Sequence, residues 1–229
     1  MVEFDEPRRL AELLRAQDRA KALFAAIATE GLIRPGVTEG ELSQEIFALA
    51  AEQFGVEQHW HKRLVRTGVN ALATFYDETE ERTLEAGDLV FIDLGPVFEG
   101  WEADYGATFA LGDDPEKARL TADLDAVWAE LRDFYLAHDG LTGAELYAQA
   151  HRAAERRGWV FAGQIAGHLV GEFPHSDFPG GREESVIWPK NDVRMRDRDA
   201  DGRARYWILE VHLADPQRRF AGFCESLLV

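Results

Sequence analysis

The stretch FIDLGPVFEGWEADYGATF, residues 91–109, reads as two apolar strands joined by a tight turn, yet each strand carries an aspartate, Asp93 and Asp104. Glu99-Gly100 is the expected turn, because glycine tolerates the positive φ that a two-residue hairpin loop requires. Phe98 then faces Trp101, and Asp93 faces Gly106. Side chains alternate faces along a strand, so Asp104 shares the face of Gly106 and hence that of Asp93. As diagonal neighbours the two aspartates lie roughly 7–8 Å apart at the backbone, and their carboxylates can converge. Two ionised carboxylates meeting in apolar surroundings are costly unless one takes up a proton or a counter-charge stands between them. A different turn position would instead leave both acids on the wet face of an edge hairpin.

Three later residues add weight to the first reading. AGHLVGEFPH (166–175) places His168 in a glycine-flanked extended run, with His175 seven residues on. YWILEVHL (206–213) sets Glu210 inside an apolar strand, and FCESLLV (223–229) does the same for Glu225. Glutamate is depleted in strands and almost never fully buried without a partner. Singly, each is read as a solvent-facing strand residue. Together they form an Asp, Asp, His, Glu, Glu set on apolar strands. Four carboxylates offset two divalent cations, and two such ions held close together can share a hydroxide nucleophile and polarise a carbonyl. Oxygen-rich ligands with an imidazole suit Mn, Fe, Co or Zn without selecting among them.

Outward from the hairpin, the chain of 229 residues is long enough to bury a sizeable core and is expected to form a single domain over residues 1–229. It carries 42 Asp and Glu against 25 Lys and Arg, a formal net charge of −17. Such a chain repels nucleic acid and anionic membranes unless a basic face is concentrated somewhere. The one basic cluster, residues 194–205, is interrupted by acids. No apolar run is long enough to span a membrane. The single cysteine, Cys224, excludes an internal disulfide, and the N-terminal stretch lacks a secretory pattern, so a reducing, cytoplasmic setting is expected.

Helices are expected over 6–30, with Gln17 interrupting the apolar stripe, and from Thr38 to about Phe54 behind a capping box with Glu41. Further helices are expected over 114–137 and from Thr142 to about Arg157, the latter behind a second box with Glu145. Residues 57–66 are expected to be extended, 77–86 a polar connection, and 88–95 and 98–111 the hairpin strands. GVTEGEL (36–42) matches GLTGAEL (140–146), and AAEQFG (50–55) matches AAERRG (153–158). Each match sits on a capped helix followed by an extended segment, as in two similar α+β halves. A site at their seam would draw ligands from both. DRDADG (197–202) begins like a calcium loop, but Ile208 stands where a bidentate glutamate is needed, so a polar turn is expected. Cys224 is read as a small buried side chain.

These residues resemble the pita-bread metallopeptidases, which include methionine aminopeptidase, aminopeptidase P and prolidase. GDLVFIDLG (87–95) is similar to the segment carrying the family's first aspartate, ADYGATF (103–109) to that of the second, and GHLVGEFPH (167–175) to that of the metal histidine, with the two glutamates following in order. The resemblance implies an α+β pita-bread fold of two pseudo-symmetric α/β halves around a curved antiparallel sheet. It implies two metal ions bound by Asp93, Asp104, His168, Glu210 and Glu225, with Asp104 and Glu225 bridging. It also implies that Glu210 takes a proton from the attacking water and that His175 contacts the substrate.

The implied activity is hydrolysis of the N-terminal bond of a peptide or dipeptide, Xaa-Pro or similar. The implied partner is a peptide or small amide, with a homodimer as one assembly. One position departs from the pattern. Phe75, in TFYDE (74–78), stands where active members carry a histidine against the scissile amide. That leaves open a non-peptide amide substrate, or a binding protein that keeps the fold. In QHWHKR (58–63), His59 aligns with a pocket histidine of methionine aminopeptidases, and His59 or His61 is a candidate to stand in for the missing imidazole. Trp60 and Trp101 are expected to line the substrate site.

Overall fold

The structure is a computed structural model, described here for residues 5–174 and 181–229. The chain runs twice through the same grammar of long helix, capped helix, edge strand and inner strands. Helix α1 (Glu6–Thr29) starts where the Asp5 carboxylate accepts the Arg8 N–H. Helix α2 (Glu39–Phe54) opens on a complete Thr38/Glu41 capping box and stops at Gly55, whose φ of 65° is left-handed. Strand β1 (Leu64–Thr67) and a 3-10 turn (Gly68–Leu72) follow. Strands β2 (Leu89–Leu94), β3 (Val97–Phe98), β4 (Trp101–Glu102) and β5 (Tyr105–Ala110) complete the first half.

The second half opens with α3 (Pro115–Ala137), capped by Asp114, and α4 (Gly143–Arg156), whose Thr142/Glu145 box is also complete. Such a cap stabilises a helix by about 1 kcal/mol, and its recurrence sets the start of both shorter helices. Strands β6 (Val160–Phe161) and β7 (Gly167–Leu169), a short helix α5 (Gly181–Ser185), and strands β8 (Trp207–Ala214) and β9 (Ala221–Leu227) finish the chain.

The expected hairpin register is present: Phe98 pairs with Trp101 and Asp93 with Gly106. Glu99 and Gly100 both have positive φ, 54° and 84°, as a turn matched to the strand twist demands. The strand expected over 88–95 is β2, with β3 following it, and the segment expected over 98–111 is broken into β4 and β5. Pro96 has no N–H for a ladder, and its carbonyl instead accepts the Ala103 N–H, so the hairpin tip forms its own two-stranded ribbon. The extended segment expected over 57–66 narrows to β1, with His59 forming only an isolated bridge to Pro96. The calcium-like stretch is a turn tied by Asp199, which accepts the N–H groups of Asp201 and Arg203.

The seven-stranded sheet has the order β1-β2-β5-β9-β8-β6, with β7 also pairing to β8. This order is a palindrome of the two halves: β1 corresponds to β6, β2 to β8, and β5 meets β9 at the middle. Helices cover one face. Leu23, Ile27, Leu42 and Ile46 pack on Val90, Ile92 and Leu94 of the first half. Leu120, Leu124, Leu146 and Ala150 pack on Leu209, Val211 and Leu213 of the second. Cys224 is buried on this helical side, where burial raises its thiol pKa. Gln17 is buried too, and its side-chain oxygen accepts the Leu227 N–H at 2.6 Å, tying α1 to the end of β9.

Candidate metal centre

The opposite face of the sheet carries the acids. Asp93 pairs with Gly106, Gly106 with Glu225, and Glu225 with Glu210, so one row of residues crosses β2, β5, β9 and β8. Directly paired residues share a face, which puts Asp93, Glu225 and Glu210 on the same side. Asp104, two residues before Gly106, joins them. His168 pairs with Ile208, two residues before Glu210, and reaches the same side from β7. Gly106 leaves the middle of the row clear: a Cβ there would lie 2.7 Å from the Phe223 ring and 3.1 Å from Glu225 Cγ.

The five residues expected to bind metal are therefore brought together. Asp93, Asp104 and Glu225 are 6, 4 and 4 % exposed. His168 Nε2 lies 3.0 Å from Asp104 Oδ2 and 3.7 Å from Glu210 Oε1. Two sets of ligand atoms converge, His61 with Asp93 and Asp104, and His168 with Asp104 and Glu225. Asp104 belongs to both.

The electrostatics are those of crowded acids. Burial raises Asp93 to about 6 and Glu210 to about 8, and it lifts Glu225 well above the carboxylate range. Burial opposes ionisation of Asp104 as well, but the flanking His61 and His168 imidazoles outweigh it and hold that carboxyl below its ordinary value. Burial would likewise lower both imidazoles; their carboxylate neighbours prevail and raise each to about 9. Among the described residues no hydrogen-bond donor satisfies Asp93 Oδ1 or Glu225 Oε1, although both are buried. Orphaned buried carboxylate oxygens are rare in native proteins without a missing ion or water. Buried oxygens lacking donors, raised acid pKa values and aligned imidazoles all fit hard-to-borderline divalent cations.

The row forms the floor of a pocket of about 260 Å³. Leu64, Phe75, Phe91, Ile165, Leu169 and Phe223 give it apolar walls. Trp60 lines it and donates its indole N–H to the Ala103 carbonyl at 2.9 Å. His61 lines it as well, with its Nε2 3.2 Å from Asp104 Oδ1 and 3.5 Å from Asp93 Oδ1.

Two expected contacts, His59 and Trp101, are not part of this arrangement. His59, expected to be catalytic, turns its ring toward Phe47 at 6.2 Å and does not line the pocket. Burial lowers it to about 4. Trp101 is buried in the core beside Phe98 instead of forming a pocket wall. His175 lies outside the described residues. One lining histidine was not anticipated. His212 stands two residues after Glu210 on the same face, with Nε2 donating to the Ala71 carbonyl at 2.8 Å, which fixes that nitrogen as the N–H. The alternation of β8 was the available signal for it.

Comparison with known proteins agrees with this geometry. The chain is 30% identical over 178 residues to an Xaa-Pro dipeptidase of Lactobacillus delbrueckii subsp. lactis, a match covering 77% of this chain and 47% of that one. The chain thus spans about half the length of the curated Xaa-Pro dipeptidases it matches. Its fold superposes on dipeptidase PepE from Mycobacterium ulcerans with a TM-score of 0.74 at 22% identity, covering 99% of this chain and 56% of that one. It also superposes on methionine aminopeptidase from Rickettsia prowazekii with a TM-score of 0.73 at 13% identity, covering 99% and 95%. The fold is the pita-bread fold. The description "Metallopeptidase family M24" matches residues 11–199, which include Asp93, Asp104 and His168, and the chain belongs to that family.

Proposed function

We propose that this chain is a two-metal hydrolase that cleaves the N-terminal bond of a peptide or dipeptide, Xaa-Pro or similar. The observation that carries the reading is the single row of buried acids at the floor of an apolar pocket, with Asp104 common to two sets of ligand atoms. Asp93, Asp104, His168, Glu210 and Glu225 would hold two divalent ions, Mn, Co, Zn or Fe. Bound there, such ions polarise a carbonyl and supply hydroxide at neutral pH. The remaining work falls to the chain. Glu210, the most open of the four acids, accepts the proton of the attacking water and returns it to the leaving amine. Phe91, Phe223 and Leu169 exclude water and seat an apolar side chain. The Xaa-Pro preference is supported by the name of the Lactobacillus relative.

Phe75 favours a second reading, hydrolysis of a non-peptide amide. Its ring lines the pocket, 5.8 Å from that of His61, where the resemblance calls for a histidine against the scissile amide. Both readings are tested by metal analysis of the purified chain, followed by assays on Xaa-Pro dipeptides, Met-peptides and longer Xaa-Pro peptides with added Mn²⁺ or Co²⁺. Two ions with peptide turnover support the first reading, and two ions without it support the second. A chain that binds no metal under any condition would sink both.

A further inference from the structure

We propose that His61 is a sixth protein ligand of the metal centre, binding the ion on the Asp93 side; the inference rests on the two-metal reading above. Its posture repeats that of His168. Each ring places Nδ1 against the backbone carbonyl of the following residue, His61 against Lys62 at 2.7 Å and His168 against Leu169 at 2.8 Å. A carbonyl only accepts, so in both rings Nδ1 keeps its proton, and Nε2 is the nitrogen that would give up its proton to bind an ion. Those two Nε2 atoms approach different oxygens of one carboxylate, His61 at Asp104 Oδ1 and His168 at Asp104 Oδ2. An imidazole oriented by a carbonyl at one nitrogen, with the other facing carboxylates, is the arrangement by which proteins present histidine to a metal.

The seat of this ring is built. Trp60 meets it edge-on, with ring centroids 4.5 Å apart, and Phe75 closes the other side at 5.8 Å. Beneath it, at the end of β2, is Gly95. A Cβ at that position would strike the His61 ring and lie 2.6 Å from Trp60 Nε1. Any other residue at 95 therefore evicts the imidazole from its place over the acids. Phe75 acquires a role as well: it walls in a ligand instead of contacting an amide. With two imidazoles the centre is richer in nitrogen than the five-residue set alone, which shifts its preference toward Zn²⁺ or Co²⁺ relative to Mn²⁺. The competing account is that His61 is a cationic stand-in, neutralising the acids only until ions displace it.

The test uses the purified chain stripped with a chelator and titrated with Zn²⁺ by calorimetry, with zinc-edge X-ray absorption on the loaded protein. Two ions per chain and scattering from two imidazoles per pair of ions are expected. His61→Ala should weaken one ion by about 100-fold or more, beyond the 10–100-fold typical of losing a mere supporting contact, and should halve the imidazole count. Gly95→Ala, which keeps the histidine but displaces its ring, should weaken the same ion at least about tenfold. His138→Ala, at the exposed end of α3, controls for histidine removal and should change neither readout. Circular dichroism of each variant checks that the fold is kept. A wild-type centre with two ions and one imidazole would overturn the inference alone. So would tighter binding by His61→Ala, the result expected of a displaced stand-in. A wild type that binds no zinc removes this inference together with the two-metal reading.

Discussion

Gly106→Ala tests the acid row with one methyl group. The ideal Cβ at 106 lies 2.7 Å from Phe223 Cε1, 3.0 Å from Phe223 Cδ1 and 3.1 Å from Glu225 Cγ. An ordinary carbon–carbon contact is about 3.6 Å, so the ring must retreat about 0.9 Å and Glu225 Cγ about 0.5 Å. The glutamate has little room to retreat, because Glu225 is buried and its backbone is paired on both sides, to Gly106 and to Glu210. Overpacking of this size costs about 1–3 kcal/mol, measurable as a lower melting temperature in excess chelator. The carboxylate moves with its Cγ, and misplacement on the order of 1 Å costs about 10²-fold in rate. Metal affinity by titration should fall at least tenfold, and turnover of the loaded protein should fall further. A Gly106→Ala protein that binds ions within twofold of wild type and turns over normally would show that this row is not the metal floor.

Three further outcomes are expected. In the metal-free protein, His61 and His168 at about 9, Asp93 at about 6 and Glu210 at about 8 hold protons that the unfolded chain would release. The native state thus binds more protons between pH 6 and 9, and its stability falls with rising pH by about 1.4 kcal/mol per pH unit for each excess proton. The histidine contribution is complete below about 6.5 and gone above the folded value. Urea midpoints in chelator at pH 6, 7.5 and 9 check this, and a rising midpoint contradicts it. Glu39→Ala should cost about 2–4 kcal/mol in denaturant titration, because its buried carboxylate accepts the Thr67 N–H at 2.7 Å and the Asn70 amide at 2.9 Å; the Thr67 N–H would be left unpaired, and the Asn70 amide would keep only the Glu80 carbonyl. Phe75→His should raise peptide turnover about tenfold or more if an imidazole at that corner is what peptide hydrolysis lacks; steady-state kinetics on Xaa-Pro substrates would show it, and unchanged turnover would argue that the corner does not limit the reaction.

The row was legible where strand alternation and turn chemistry apply. Glu99-Gly100 sets the hairpin register, the register sets the facing of Asp93 and Asp104, and the glutamates in β8 and β9 stand out against their apolar neighbours. The capping boxes at Thr38 and Thr142 likewise announced α2 and α4. Legibility failed where no ladder runs. Residues 58–63 precede β1, so alternation does not say which of His59 and His61 faces the acids; the gap over Gly95 decides it. It failed also for partners distant along the chain. Gln17 reads as a flaw in an apolar stripe, yet its acceptor bonds an N–H 210 residues away. Glu39 reads as an ordinary acid in the first turn of a helix, and only the folded chain shows the donors gathered around it. The short helix α5 has too few residues to show a period.

Where β5 meets β9, Thr108 Oγ1 donates to the Phe223 carbonyl and accepts the Phe223 N–H, spanning 115 residues of sequence. Asp93 and Asp104 arrive with the first half, and His168, Glu210 and Glu225 with the second. Neither half carries the whole proposed ligand set, so on the two-metal reading competence for chemistry is a property of their docking. Long-range pairings of this kind close late in folding. A strain or substitution that opens this junction would release bound ions while each half still kept its own helices and strands, and loss of cargo would be an earlier sign of damage than loss of secondary structure.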